Sequence, residues 1–294
     1  MDDITHLTKS FFADTPKGVL YHYTTLGGLV GIVNSRTLWA SDIRYMNDSA
    51  ELKHAADLIS DEVHDRISRK LGRPDLLGRF VDWVSHRITN GHLLFGSSFR
   101  SHGNLLSQWR GYSPHGKGVS LGFSADYILA CAESQGFQIG KCIYEPARQK
   151  RLIGRVLDAL ESQVEERLTG QQSRERLLAV YAEVFDHIET DLLRLAAILK
   201  HPSFREEKEW RIVSPVYTNY SDRTILFREA NAVLVPYVEF DLASDGQSPQ
   251  LEHVFVGPSP NSNISINSVR MFLAQRGIEP ARGIDYCQIP YRLR

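Results

Sequence analysis

The chain is poor in cysteine: Cys131, Cys142 and Cys287 are its only three in 294 residues, widely spaced and without a C-x-x-C pair. A disulfide scaffold is thereby excluded, and the pattern fits plain buried thiols in a reducing compartment. An excess of one charge is also missing, since 34 Lys and Arg face 35 Asp and Glu. No long-range field would hold the protein on a nucleic-acid backbone or an anionic membrane, so any such contact has to be local. No apolar run approaches the roughly 18 to 20 residues that span a bilayer, and Met1-Asp2-Asp3 is acidic where a signal peptide is basic. A cytoplasmic protein with no membrane partner is expected. Internal repeats and low-complexity linkers are absent as well. What is there, 42% hydrophobic residues, suffices for a core that needs no staples.

Short strands are expected at residues 19–23, 38–40, 93–99 and 118–123, then at 208–214, 224–228, 232–240 and 252–256. Helical periodicity marks 26–33, entered through Thr24 or Thr25 as N-cap, and 50–70, capped by Ser49. It continues at 76–89, 148–170, 173–199 and a last short helix at 267–276. Strands, then two long amphipathic helices, then strands again predict one α+β domain over 1–294, with a helical insertion at about 125–200. Trp109 and Trp210 are expected to be structural anchors.

Residues 207–213 carry the densest chemistry. Read as a strand, they place Glu207, Glu209 and Arg211 on one face and Lys208, Trp210 and Ile212 on the other. Two carboxylates this close raise each other's proton affinity unless a partner such as Arg211 offsets them. The same alternation is also that of a solvated edge strand. Glu206-Glu207-Lys208 further contains the E-x-K of metal-dependent nucleases, although no aspartate stands on a convincing neighbouring strand. The stretch from Gly111 to Gly118 comes close to a phosphate-binding P-loop but ends in glycine where a magnesium-binding hydroxyl is required. His54, Asp57, Asp61 and His64 form a stripe at ligand spacing, opposite an apolar face, and read as solvated surface with no metal.

His22 sits inside a strand just before a helix N-terminus, where it is either a satisfied core residue or a donor to a ligand. The string His22-x-Thr24-x-x-Gly27-Gly28-Leu29-x-x-Ile32, followed by Leu38-Trp39, resembles the N-terminal signature of ADP-ribosyltransferases of the DNA-modifying toxin type. The order His22, Ser98, then Glu207-x-Glu209 is similar to that superfamily's three-strand histidine, serine or tyrosine, and glutamate set. Over nearly its full length the chain resembles an uncharacterised bacterial family that carries no established activity. The shared motifs are H-Y-T (His22 to Thr24), L-W-A (Leu38 to Ala40), N-D-x-x-E (Asn47 to Glu51), S-F (Ser98-Phe99) and Q-W-R-x-Y (Gln108 to Tyr112). G-V-x-x-G-F (Gly118 to Phe123), E-E-K-E-W-R (Glu206 to Arg211) and a terminal I-P-Y-R (Ile289 to Arg292) complete them.

The transferase resemblance implies a split, twisted sheet with NAD as substrate in its central crack. It implies Glu209 as the carboxylate facing an oxocarbenium-like transition state and Glu207 as the group that orients or deprotonates the acceptor. His22 and Thr24 would hold the ribose or the nicotinamide amide, with Arg110 as a pyrophosphate clamp and Ser98 and Tyr112 completing the pocket. A transferase with an H-Y-E set has tyrosine where this chain has Ser98 or Phe99, so the residue stacking on nicotinamide stays open. His22 and Glu209 are expected to share one cleft, with Arg110 and Tyr112 on a loop at its border. The acceptor, nucleic acid or protein, is unread, although Lys200, Arg205, Lys208 and Arg211 offer a local basic cluster. A ligand-sensing or interaction module without catalysis, and a metal-dependent nuclease, are the alternatives.

Overall fold

The computed structural model describes residues 4–46, 51–112, 117–168, 170, 173–230, 232–243, 248–259 and 261–288. The expected Ser49 cap and the terminal I-P-Y-R motif lie outside these residues.

The first unit is built as its sequence predicts. Strand β1 (Val19–Thr25) leads into helix α2 (Leu26–Ser35), and Thr25 is the N-cap, its hydroxyl accepting the Gly28 N–H at 3.1 Å. An added Cβ on Gly28 would collide with Thr24 Oγ1, so only glycine lets the helix leave the strand this closely. Leu29, Ile32 and Val33 bury the opposite side of α2, which runs on into β2 (Thr37–Asp42).

The sheet is mixed and open, and it forks at β3 (Phe95–Arg100). Along one edge β3 pairs with β6 (Glu209–Val213) from Gly96↔Val213 to Arg100↔Glu209. Its other edge is shared. β1 meets it only at Tyr21↔Arg100, and β2 only at Ser41↔Gly96 and Asp42↔Phe95. Both are antiparallel to β3, hence parallel to each other, and α2 is the crossover between them. From β1 the sheet continues through β4 (Gly118–Ser124) to β9 (His253–Val256) and the parallel strand β10 (Ile284–Tyr286). From β2 it continues through β8 (Val233–Asp241) to β7 (Leu226–Ala230). Beyond β6 lies β5 (Gln138–Lys141).

The helical part is larger than the inserted pair expected at 125–200. Helix α6 (Ala125–Ser134) packs on the sheet core and is followed by strand β5, so the long helices are α7 (Pro146–Arg167) and α8 (Arg174–Ile198). They share one apolar core with α1 (Ile4–Phe11), α3 (Glu51–Ser68) and α4 (Pro74–Asn90), in which Ile59, Phe80, Leu160 and Val184 are buried. This bundle flanks the sheet, and the end of α8 approaches β6. Helix α9 (Ser262–Gln275) covers the far half-sheet. Among the described residues, no helix is long and apolar enough to cross a membrane.

Candidate functional site

Strand β6 begins at Glu209, one residue later than the expected 208–214 and two later than the reading of 207–213 as a strand. A 3-10 stretch, Pro202–Glu207, ends in Lys208, whose left-handed φ of 44° turns the chain into the strand. Glu207 is therefore not a strand residue. Glu209 and Arg211 do alternate with Trp210 and Ile212 as expected, but every β6 residue is buried, which rules out the edge-strand reading. Trp210 packs with Ile212 and Phe99 in the sheet core, and Trp109 is fully buried, both as expected of anchors.

On the other face of β6 lies a closed ion cluster. The Glu209 carboxylate has no exposed surface. Its Oε1 accepts from Arg211 Nε at 3.0 Å, Arg211 Nη2 at 2.8 Å and the Ser98 hydroxyl, and its Oε2 from Lys200 Nζ at 2.6 Å. Arg100 Nη1 lies 3.3 Å from the same Oε2. Lys200 and Arg100 also reach Glu207 Oε2, at 2.7 and 2.8 Å. Burial pushes the Glu209 carboxyl up, but Arg100, Arg211 and Lys200 outweigh it and hold the group well below the usual carboxylate range. With three cations around two carboxylates, the cluster is electropositive by one charge.

Glu207 differs from Glu209 in access. Its side chain is 14% exposed and lines the cleft of the fork, and Oε1 makes no hydrogen bond among the described residues. Arg211, Arg100 and Lys200 line the same cleft, whereas Glu209 lies sealed behind them. Lys200 and Arg211 are thus committed to buried carboxylates, and only Arg205 and Lys208 of the expected basic surface cluster are exposed.

His22 answers a need created by the fork. Where β1 leaves β3, the Ser98 carbonyl loses its ladder partner, and His22 Nδ1 takes it at 3.1 Å. A carbonyl only accepts, so Nδ1 carries the proton and Nε2 is left as an acceptor. Burial is the main cause that pushes the ring down to about 4, and Arg100 adds to it against the Ser98 hydrogen bond. His22 is therefore neutral near pH 7. The register places it with Phe99, whose ring lies 5.9 Å away, on the face opposite Glu209. The expectation that His22 and Glu209 meet in one cleft fails: His22 lines it and Glu209 does not.

The cleft of about 900 Å³ runs through the fork, so residues of both sheet faces reach it. Thr24 and Ser98 line it. Arg110 does not, because residues 106–112 form helix α5 (Leu106–Tyr112) rather than a loop. Ser107, Gln108 and Gly111 share the face of α5 toward the cleft, and Arg110 points to solvent. The Tyr112 side chain lies outside the described residues. Gln108 is 4% exposed, and its Oε1 is buried without a hydrogen-bond partner. Across the fork the wall is Trp39, Tyr237 and Arg228.

Sequence reasoning missed Arg100, Gln108 and Arg228 as site residues. Arg100 directly follows the S-F motif on a strand and Gln108 opens Q-W-R-x-Y, so both carried a local signal. Arg228 carried none. Asp57, Asp61 and His64 of the metal-spaced stripe are exposed on α3.

A family model described as a protein of unknown function (DUF2971) matches residues 108–212. That span runs from α5 to β6 and contains the motifs at Gln108 to Tyr112, Gly118 to Phe123 and Glu206 to Arg211. No curated protein and no solved structure matches the chain.

Proposed function

We propose that the cleft binds a dinucleotide of the NAD class and that the chain is an ADP-ribosyltransferase-like enzyme in which Glu207, rather than Glu209, presents the working carboxylate. The observation that supports this reading best is the fork itself. It opens a dinucleotide-sized cleft with Glu207 Oε1 accessible at an electropositive floor and a neutral His22 in its wall. In this chemistry the bond between ribose C1 and nicotinamide nitrogen breaks, nicotinamide leaves with the bonding pair, and C1 gains oxocarbenium character. A carboxylate beside C1 stabilises that charge. An acceptor hydroxyl, amine or water then bonds to C1 and gives up a proton, for which Glu207 is the available base. His22 Nε2 accepts from a ribose hydroxyl or from the carboxamide N–H. Glu209 holds Arg100, Arg211 and Lys200 in place and acts through them. The acceptor macromolecule, nucleic acid or protein, is left open.

The closure of Glu209 by its donors favours a second reading, a nucleotide-sensing module that binds without turnover. One assay separates the two: purified protein is incubated with NAD, with and without divalent metal, and released nicotinamide is followed. Release that needs no metal supports the transferase. Binding without release supports the sensor, and neither binding nor release removes NAD from the cleft. The nuclease alternative predicts metal-dependent cleavage of nucleic acid, but Lys208 is exposed and Glu207 is held by two cations.

A further inference from the structure

Arg228 is a cleft guanidinium that forms no ion pair among the described residues. Among the described residues it makes one hydrogen bond, Nη2 to Ser41 Oγ at 3.3 Å, and its Nε is buried with no partner at all. Strands β7, β8 and β2 put Arg228, Tyr237, Trp39 and Ser41 on one face, since Arg228 stands opposite Val235 and Ser41 opposite Tyr237. The reverse face, with Leu38, Val238 and Phe240, is core. The Trp39 and Tyr237 rings pack with centroids 4.7 Å apart, and the Arg228 guanidinium lies 6.0 Å from the Trp39 ring centroid. Trp39 nevertheless stays 50% exposed within the cleft.

A buried N–H without an acceptor is costly, and a planar guanidinium matches the paired oxygens of a phosphate. A half-exposed indole beside it is a stacking platform for a flat base. We infer that Arg228, Ser41 and the Trp39–Tyr237 pair form a subsite for a nucleoside monophosphate unit, with the base on Trp39 and phosphate oxygens on Arg228 and Ser41. Taking this unit as one half of the dinucleotide rests on the function proposed above. The ligand then lies across the fork, with its phosphate on the β2–β8–β7 half and its reacting end at Glu207. The subsite itself does not depend on turnover.

Calorimetry with AMP, adenosine and inorganic phosphate on the wild type, Arg228→Gln and Trp39→Ala tests it, with thermal melts to show that each variant folds. AMP is expected to bind the wild type. Arg228→Gln should weaken AMP by about tenfold or more, the value of a charge-assisted contact, and leave adenosine nearly unchanged. Trp39→Ala should weaken both. A matching loss of NAD affinity in Arg228→Gln supports the placement of the dinucleotide across the fork. Loss for AMP with unchanged NAD affinity supports the subsite and removes it from the dinucleotide's path. AMP binding that ignores both substitutions, or no AMP binding at millimolar concentration, overturns the inference. Absence of NAD turnover with these AMP responses intact counts against the transferase alone.

Discussion

His22 donates Nδ1–H to the Ser98 carbonyl oxygen at 3.1 Å, and this side chain stands in for the strand pairing that β1 and β3 give up at the fork. The ring that does so is neutral near pH 7, because burial opposes a second proton and pushes the group down to about 4, although the Ser98 hydrogen bond itself favours the charged form. The folded state thus binds that proton more weakly than an unfolded histidine, which titrates near 6.5.

A pH dependence follows with a fixed sign. Between about 6.5 and 4 the unfolded chain takes up the proton first, so His22 lowers stability as pH falls through that window and changes nothing further below it. The loss is expected to be about 1 to 3 kcal/mol. Urea unfolding of wild type and His22→Gln at pH 7 and pH 4.5 checks it: the wild type should lose more stability between the two, and equal losses would show that burial does not hold the ring neutral.

Glu209→Gln should behave as a folding mutant. The change leaves Arg100, Arg211 and Lys200 buried around a single carboxylate, and breaking a buried charge network costs about 3 to 5 kcal/mol. The expected result is a lowered urea midpoint with unchanged slope. The pH limb of this group has the opposite origin from that of His22: its depressed carboxyl stabilises above the ordinary carboxylate range and loses that contribution as pH falls through the folded value. Wild-type stability with Glu209→Gln would mean that the cluster is solvated.

Gly28→Ala should cost about 1 to 3 kcal/mol, the usual range for overpacking, because the new methyl meets the Thr24 side chain. In a Thr24→Ala background most of that cost should vanish, and the double-mutant cycle measures the difference. Additive effects would show that the strain lies in the helix and not in the contact.

Local pattern carried β1, α2, β2 and the faces of Glu209 and Trp210, because each rests on periodicity and caps within a few residues. Glu207 was misplaced because Lys208 adopts a left-handed conformation without the glycine or asparagine that normally announces it. Helix α5 hid behind an internal glycine and a length of 7 residues. The fork was beyond local reading altogether. It depends on two strands sharing one edge of β3, and the partners of Glu209 come from Arg100 and Lys200, which are brought there by tertiary pairing. The α+β class was legible, and so was the pairing of Arg211 with a carboxylate of its own strand, whereas the partners from other elements were not.

Glu207→Gln is the variant that separates chemistry from folding. Glu207 sits at the end of a 3-10 stretch and is 14% exposed, so losing its charge removes two partly solvated ion pairs and should cost about 1 to 2 kcal/mol, which leaves the protein folded. Glu209 still holds Lys200 and Arg100, so the floor of the cleft keeps its shape. Binding of NAD is expected to stay within a few-fold or tighten slightly, since one negative charge disappears from a cleft that takes an anionic ligand. Nicotinamide release should fall about 10²-fold or more, the value of a positioned group that faces charge developing in the transition state. Single-turnover nicotinamide release measured beside calorimetric NAD affinity reads the two separately. Turnover at the wild-type rate with unchanged affinity would remove Glu207 from the reaction, whereas loss of binding in a folded variant would make it a ligand-holding residue instead.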